Sequence, residues 1–79
     1  MKRVRLFTLE GNADGEAALA FFQARGLAVD VRDVGKDPDA SQELFTRMGR
    51  LGVPTIVIEE RTFVGFGVHR DEIEGLLRD

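Results

Sequence analysis

The sequence contains no cysteine, no tryptophan and no tyrosine, has two prolines, and offers no apolar run near the roughly 20 residues of a membrane span. Without cysteine there is no disulfide framework, no thiolate nucleophile and no cysteine-ligated zinc or iron–sulfur site, and the redox compartment stays open on this criterion. Positive charge is also in short supply. Eleven Lys and Arg stand against fourteen Asp and Glu, a formal net charge of −3. That balance lacks the basic excess that neutralises nucleic-acid phosphates or anionic lipid, so neither nucleic acid nor membrane is an expected partner. The basic residues in Met1–Leu6 lead into no stretch of signal-peptide length, and the expected location is cytoplasmic.

What is present describes one small globular unit. With 43% hydrophobic and 32% charged residues over 79 positions, residues 1–79 are expected to form a single domain around one core. The six Phe suit a dry interior, because their side chains carry no polar atom to satisfy. No repeat or low-complexity tract interrupts the chain.

Short elements alternate along it. Val4 to Thr8 is an apolar run bounded by charge and then by Glu10-Gly11-Asn12, a strand. From Ala13 to Arg25, Ala17, Ala18, Leu19, Phe21 and Phe22 fall at helical spacing, with Glu16 in the first turn and Gly26 just past the end. Ala28 to Val34 alternates, Val29 and Val31 against Asp30 and Arg32, as in a half-exposed strand near a sheet edge. Asp37-Pro38 opens a second helix, since Asp caps free amides and Pro at the first position has no N–H to leave unpaired. It runs to about Met48 and stops at Gly49. Thr55 to Ile58 and Thr62 to Val64 are β-branched runs around Glu59-Glu60-Arg61, a hairpin without the Asn-Gly or Asp-Gly signal. After Gly65-Phe66-Gly67, Ile73, Leu76 and Leu77 mark a last amphipathic helix with Asp71 and Glu72 near its positive end. The order is β-α-β-α-β-β-α, an α/β chain with a four-stranded mixed sheet flanked by three helices. The crossings predict that strands one to three run parallel and strand four antiparallel.

Val53-Pro54 precedes strand three, where a Pro needs no ladder hydrogen bond. The bond is either an ordinary trans peptide or a cis one that turns the Val53 N–H and C=O toward solvent as a docking edge. The element order, Gly52-Val53-Pro54-Thr55 and Val64-Gly65-Phe66-Gly67 together resemble the glutaredoxin family of the thioredoxin-like superfamily, over nearly the whole chain. The resemblance implies a cis bond at Val53-Pro54 facing a Cys-x-x-Cys or Cys-x-x-Ser loop, and a Gly-rich turn opening the last helix. Here the tetrad falls on Asn12-Ala13-Asp14-Gly15, so the nucleophile and resolving positions are Asn12 and Gly15, and thiol exchange has no sulfur to use. Asn12 is instead a good neutral N-cap, while Glu10, Asp14 and Glu16 surround it with negative charge that opposes thiolate formation.

The resemblance further implies a remnant glutathione site: backbone pairing at Val53 beside Pro54, carboxylate capture by the amides of Gly65, Phe66, Gly67 and Val68, a polar contact from Asn12, and a basic contact from Arg47. Leu9 and Glu10 stand where many relatives carry a lysine, and Gly67 replaces a frequent acid. Any glutathione binding is therefore expected to be weak, and no resident cofactor is expected. Phe66, Val53 and Leu9 either line a shallow apolar groove beside Asn12 or cap the core.

The remaining polar features have plain readings. His69 is a solvated residue opening the last helix, and Asp30, Asp33, Asp37 and Asp39 serve capping and solubility without the glycine and terminal Glu of a calcium loop. Gly65-Phe66-Gly67 lacks the third glycine of a dinucleotide loop, and Arg61, Arg70 and Arg78 belong to a mixed charged surface. Three functions are left: a non-catalytic module binding a peptide, a protein partner or a small anionic thiol; a degenerate or cysteine-replaced form of a thiol–disulfide oxidoreductase or electron carrier; and a structural or assembly module.

Overall fold

The computed structural model describes residues 2–50 and 52–78. Strand β1 (Val4–Thr8) leads to helix α1 (Ala13–Ala24), β2 (Val29–Asp33), α2 (Pro38–Met48), β3 (Thr55–Ile58) and β4 (Arg61–Val64), and a 3₁₀ turn at Gly67–His69 opens α3 (Arg70–Arg78). The strands form one sheet in the order β2-β1-β3-β4. This is the thioredoxin-like α/β arrangement of three helices on a four-stranded mixed sheet. Among the described residues no helix is long and apolar enough to cross a membrane.

One expectation about the sheet fails. β1 and β2 are parallel, with Leu6 opposite Val31, but β3 runs antiparallel to β1, with Phe7 opposite Thr55 and Val4 opposite Ile58. A helical crossover gives a parallel strand only when the strand starts as soon as the helix has come back. Here residues 49–54 intervene between α2 and β3. Six residues reach about 20 Å when extended, more than the roughly 16 Å axis of an eleven-residue helix, so the chain returns to the C-terminal end of β1 before β3 begins. Gly49 permits the reversal: it takes φ 74 at the end of α2, a left-handed conformation that costs glycine little, and its N–H donates to the Phe45 carbonyl at 2.7 Å. β3 and β4 are joined through Glu59 and Glu60, with Ile58 opposite Arg61. Glu59 holds φ 53 without the usual turn residue, which is why no local signal marks the hairpin.

Alternation divides the core between the two faces of the sheet. Val4, Leu6, Ile56 and Ile58 pack against Ala18, Phe21 and Phe22 of α1, Ile73 of α3 and Phe66. Phe7 and Val57 pack on the opposite face against Ala40 and Leu44 of α2. The central β3 is buried at all four positions, whereas β2, at the edge, leaves Val31 43% exposed.

A single helix covers the second face, and charge covers the rest of it. Arg5, two residues from Phe7 on β1, donates to Glu43 of α2 at 2.6 Å and to Asp30 of β2 at 3.0 Å, and Arg32 donates to Asp30 at 3.1 Å and to Glu43 at 3.4 Å. The Arg32 hydrogen bond holds the Asp30 carboxyl below its ordinary value of 3.8, with the charges of Arg32 and Arg5 adding to the effect against a desolvation that opposes it.

Two outcomes are expected. Phe22 is fully buried, its ring centroid 5.5 Å from that of Phe21 and 6.4 Å from that of Phe66, so Phe22→Ala should cost about 3–5 kcal/mol in denaturant unfolding. Asp30 ionises more readily folded than unfolded, so its contribution is present above pH 3.8 and is lost as acid carries the solution down through its lowered folded value. The urea midpoint of the parent should therefore fall more steeply than that of Asp30→Asn below that pH. Because Asp30 is half exposed, the difference should be small and should shrink in about 1 M salt.

Candidate functional site

Opposing Phe7 to Thr55 brings the C-terminal end of β1 beside the N-terminal end of β3. From β1 the chain turns through Leu9, whose carbonyl accepts the Asn12 N–H at 2.9 Å, and enters α1. Asn12 has extended backbone, φ −78 and ψ 110, and its Oδ1 accepts the Gly15 N–H at 2.7 Å. It is the N-cap that its side chain favours. The oxygen of Asn12 is thereby committed to its own helix.

Gly15 is buried. A Cβ placed there would collide with Thr8 Oγ1 and lie 3.2 Å from Thr8 Cβ, so a cysteine at this position requires the Thr8 side chain to move. The second sulfur position is closed by packing as well as lacking its sulfur.

Asp14 reaches across the molecule. Its Oδ2 accepts the Phe66 N–H at 2.7 Å and its Oδ1 the Gly67 N–H at 3.0 Å. A single carboxylate thus ties the first turn of α1 to the turn that opens α3, 52 and 53 residues away. That turn is tied in its own right to β3: Gly65, at φ 93 where glycine is at little cost, donates its N–H to the Pro54 carbonyl at 2.7 Å. The Val53–Pro54 peptide is cis, and the Thr55 hydroxyl donates to the Gly52 carbonyl at 2.6 Å. Asn12, Asp14, Gly65, Phe66, Gly67, Pro54 and Val53 therefore belong to one corner. Among the described residues, the N–H and C=O of Val53 make no hydrogen bond.

Three sequence-derived assignments look different in place. Phe66 is only 4% exposed and packs its ring 5.1 Å from that of Phe21, so it caps the core rather than lining a groove. Leu9 is 43% exposed and leans over Gly35, where a Cβ would meet its Cδ1 at 2.5 Å. Arg47 is not brought to the corner. It lines a shallow cavity with Lys2, Arg3, Val29 and Glu59, at the other end of the sheet, because α2 carries it away from the end where β3 begins. His69 is half buried, 5.5 Å from the Phe63 ring and with Nδ1 3.9 Å from Glu72, and the described residues hold no group of three or more potential metal ligands.

Negative charge dominates the corner. Glu10 pairs with Lys36, and that hydrogen bond raises the lysine pKa. Among the described residues Asp14 has no cationic partner; the two amides alone hold it. In the sequence Asp14 counts only as one acid among three. Its role has no local signal, because its partners are two amides that any residue carries and lie more than 50 residues away.

The family model for glutaredoxin matches residues 4–64. The chain belongs to the glutaredoxin family. Among solved structures, a mutant of a thioredoxin-like protein superposes with a TM-score of 0.83 at 23% identity, covering 99% of this chain and 97% of its own. The glutaredoxin of Archaeoglobus fulgidus gives 0.78 at 18%, covering 100% and 89%. NrdH-redoxin of Escherichia coli, a glutaredoxin-like protein with a thioredoxin-like activity profile, gives 0.77 at 22%, covering 94% and 93%. No curated protein matches the chain.

As a glutaredoxin the chain is unusual in its chemistry. Thiol–disulfide exchange needs a thiolate to attack and a second sulfur to resolve the mixed disulfide, and these 79 residues hold none. The helix N-terminus that would stabilise a thiolate is capped by Asn12. Asn12→Ala should therefore lower stability by about 1 kcal/mol through loss of the cap, seen as a lower urea midpoint with an unchanged slope.

Proposed function

We propose that this glutaredoxin is a non-catalytic recognition module, which uses the former substrate groove to bind an extended segment of a peptide or protein partner without turnover. The observation that carries the reading is the pairing of two facts at one corner: the Val53 backbone beside Asn12 has its hydrogen-bonding groups free among the described residues, while the two sulfur positions are a cap and a packed glycine. An extended segment pairs with such a backbone through main-chain bonds, which supply affinity without requiring particular side chains. Asn12, Val53 and Pro54 form the docking edge in this reading, and the backbone of Gly65, Phe66 and Gly67 forms its far wall. A small anionic thiol such as glutathione binds weakly at most, and no cofactor is needed.

The test is an amide-shift titration of the ¹⁵N-labelled protein with an acetylated, amidated tripeptide of Ala-Val-Ala. Shifts at Val53 and Asn12 that saturate in the millimolar range are expected. An unmoved Val53 at that concentration would sink the reading. In parallel, disulfide reduction by this chain should not rise above the buffer rate, and measurable turnover would return it to the oxidoreductases.

A further inference from the structure

The amides of Phe66 and Gly67 converge on one carboxylate, and that carboxylate belongs to the chain itself. We propose that Asp14 is the specificity-determining residue of the groove: it occupies the amide pair from within, excludes ligands that present a carboxylate there, and restricts the module to neutral or basic segments. The inference deepens the recognition reading above and rests on it.

The physical argument is one of competition. Both Asp14 oxygens are engaged, at 2.7 and 3.0 Å, so the amide pair has no donor left over for an incoming anion. A free carboxylate must displace one that is attached to the neighbouring helix, whose effective concentration exceeds the millimolar level typical of short flexible tethers. The apparent affinity of the free ligand falls in proportion to the fraction of time the amides are open. Displacement also leaves the Asp14 charge within a few ångströms of the newcomer, with Glu16 on the same turn and no cation paired to either among the described residues, so the open state is penalised again by repulsion. Lys36 is engaged by Glu10. Neither effect acts on a ligand that pairs with the Val53 backbone and carries no negative charge.

The experiment compares reduced glutathione binding to the parent, Asp14→Ala, Asp14→Asn and Glu16→Gln by amide-shift titration, with thermal melts to establish that each variant is folded. Removing Asp14 should free the amides, and the glutathione dissociation constant should drop by about tenfold or more in Asp14→Ala, the scale of one hydrogen bond to a charged group, with the largest ligand-induced shifts moving to Phe66 and Gly67. Asp14→Asn, which keeps the shape and one acceptor, should gain less and serves as the folded alternative if the alanine variant is unstable. Glu16→Gln, which removes a charge from the same turn without touching the amides, should change the constant by less than about twofold. Equal glutathione affinity in the parent and the Asp14 variants overturns the proposal, as does a gain in Glu16→Gln matching that of Asp14→Ala, since general charge and not occupancy would then be the cause. Failure of the recognition reading appears separately, as a Val53 that the capped tripeptide does not move in the parent.

Discussion

Antiparallel pairing of β1 with β3 is the constraint on which the corner depends. Because Phe7 lies opposite Thr55, the chain leaves β1 at the place where it enters β3, and the loop bearing Asn12 is brought beside Val53. A parallel β3 would have put these segments at opposite ends of the sheet. The pairing also makes β1 and β3 the two central strands, so Leu6 and Phe7, adjacent in sequence, bury themselves in different halves of the core. Position and packing thus come from the same register.

On that frame the corner is held by polar bonds in series. Asn12 caps α1, Asp14 joins α1 to the turn before α3, and Gly65 joins that turn to Pro54. Each bond satisfies backbone groups that helix ends and turns leave without partners. The result is a surface in which the Gly15, Gly65, Phe66 and Gly67 amides are occupied internally, while the Val53 backbone makes no hydrogen bond among the described residues. A glutaredoxin scaffold without cysteine is in this way self-contained on one side of the corner, while the backbone of Val53, two residues ahead of β3, is left for a partner.

Legibility in the sequence followed the range of the interactions. Asp37-Pro38 and Gly49 bound α2 as expected, because capping and helix termination involve residues within one turn. The pattern of Ala28 to Val34 placed β2 at an edge, where it lies, but the expected alternation of exposure is lost there, because Val31 is exposed while Arg32 is drawn down to Asp30 and Glu43. The direction of β3 differs from the parallel one that a helix followed by a strand suggests, because residues 49–54 are long enough to carry the chain back along α2 before the strand begins. Phe66 could be assigned equally to groove or core, and the Phe21 ring decided it. Arg47 looked near the groove in sequence but was carried to the far end by the direction of α2.

The amino-acid sequence by itself determined the element order, the membership of the two helix caps and the absence of thiol chemistry, because these depend on composition or on neighbours a few positions apart. Only the tertiary structure decided that the Asp14 carboxylate meets the Phe66 and Gly67 amides, that Thr8 closes the space beside Gly15 and that β3 reverses direction. Those facts rest on backbone groups and on distances between segments far apart in the chain. Every residue carries the same amide, so no side-chain pattern records which one a carboxylate will find.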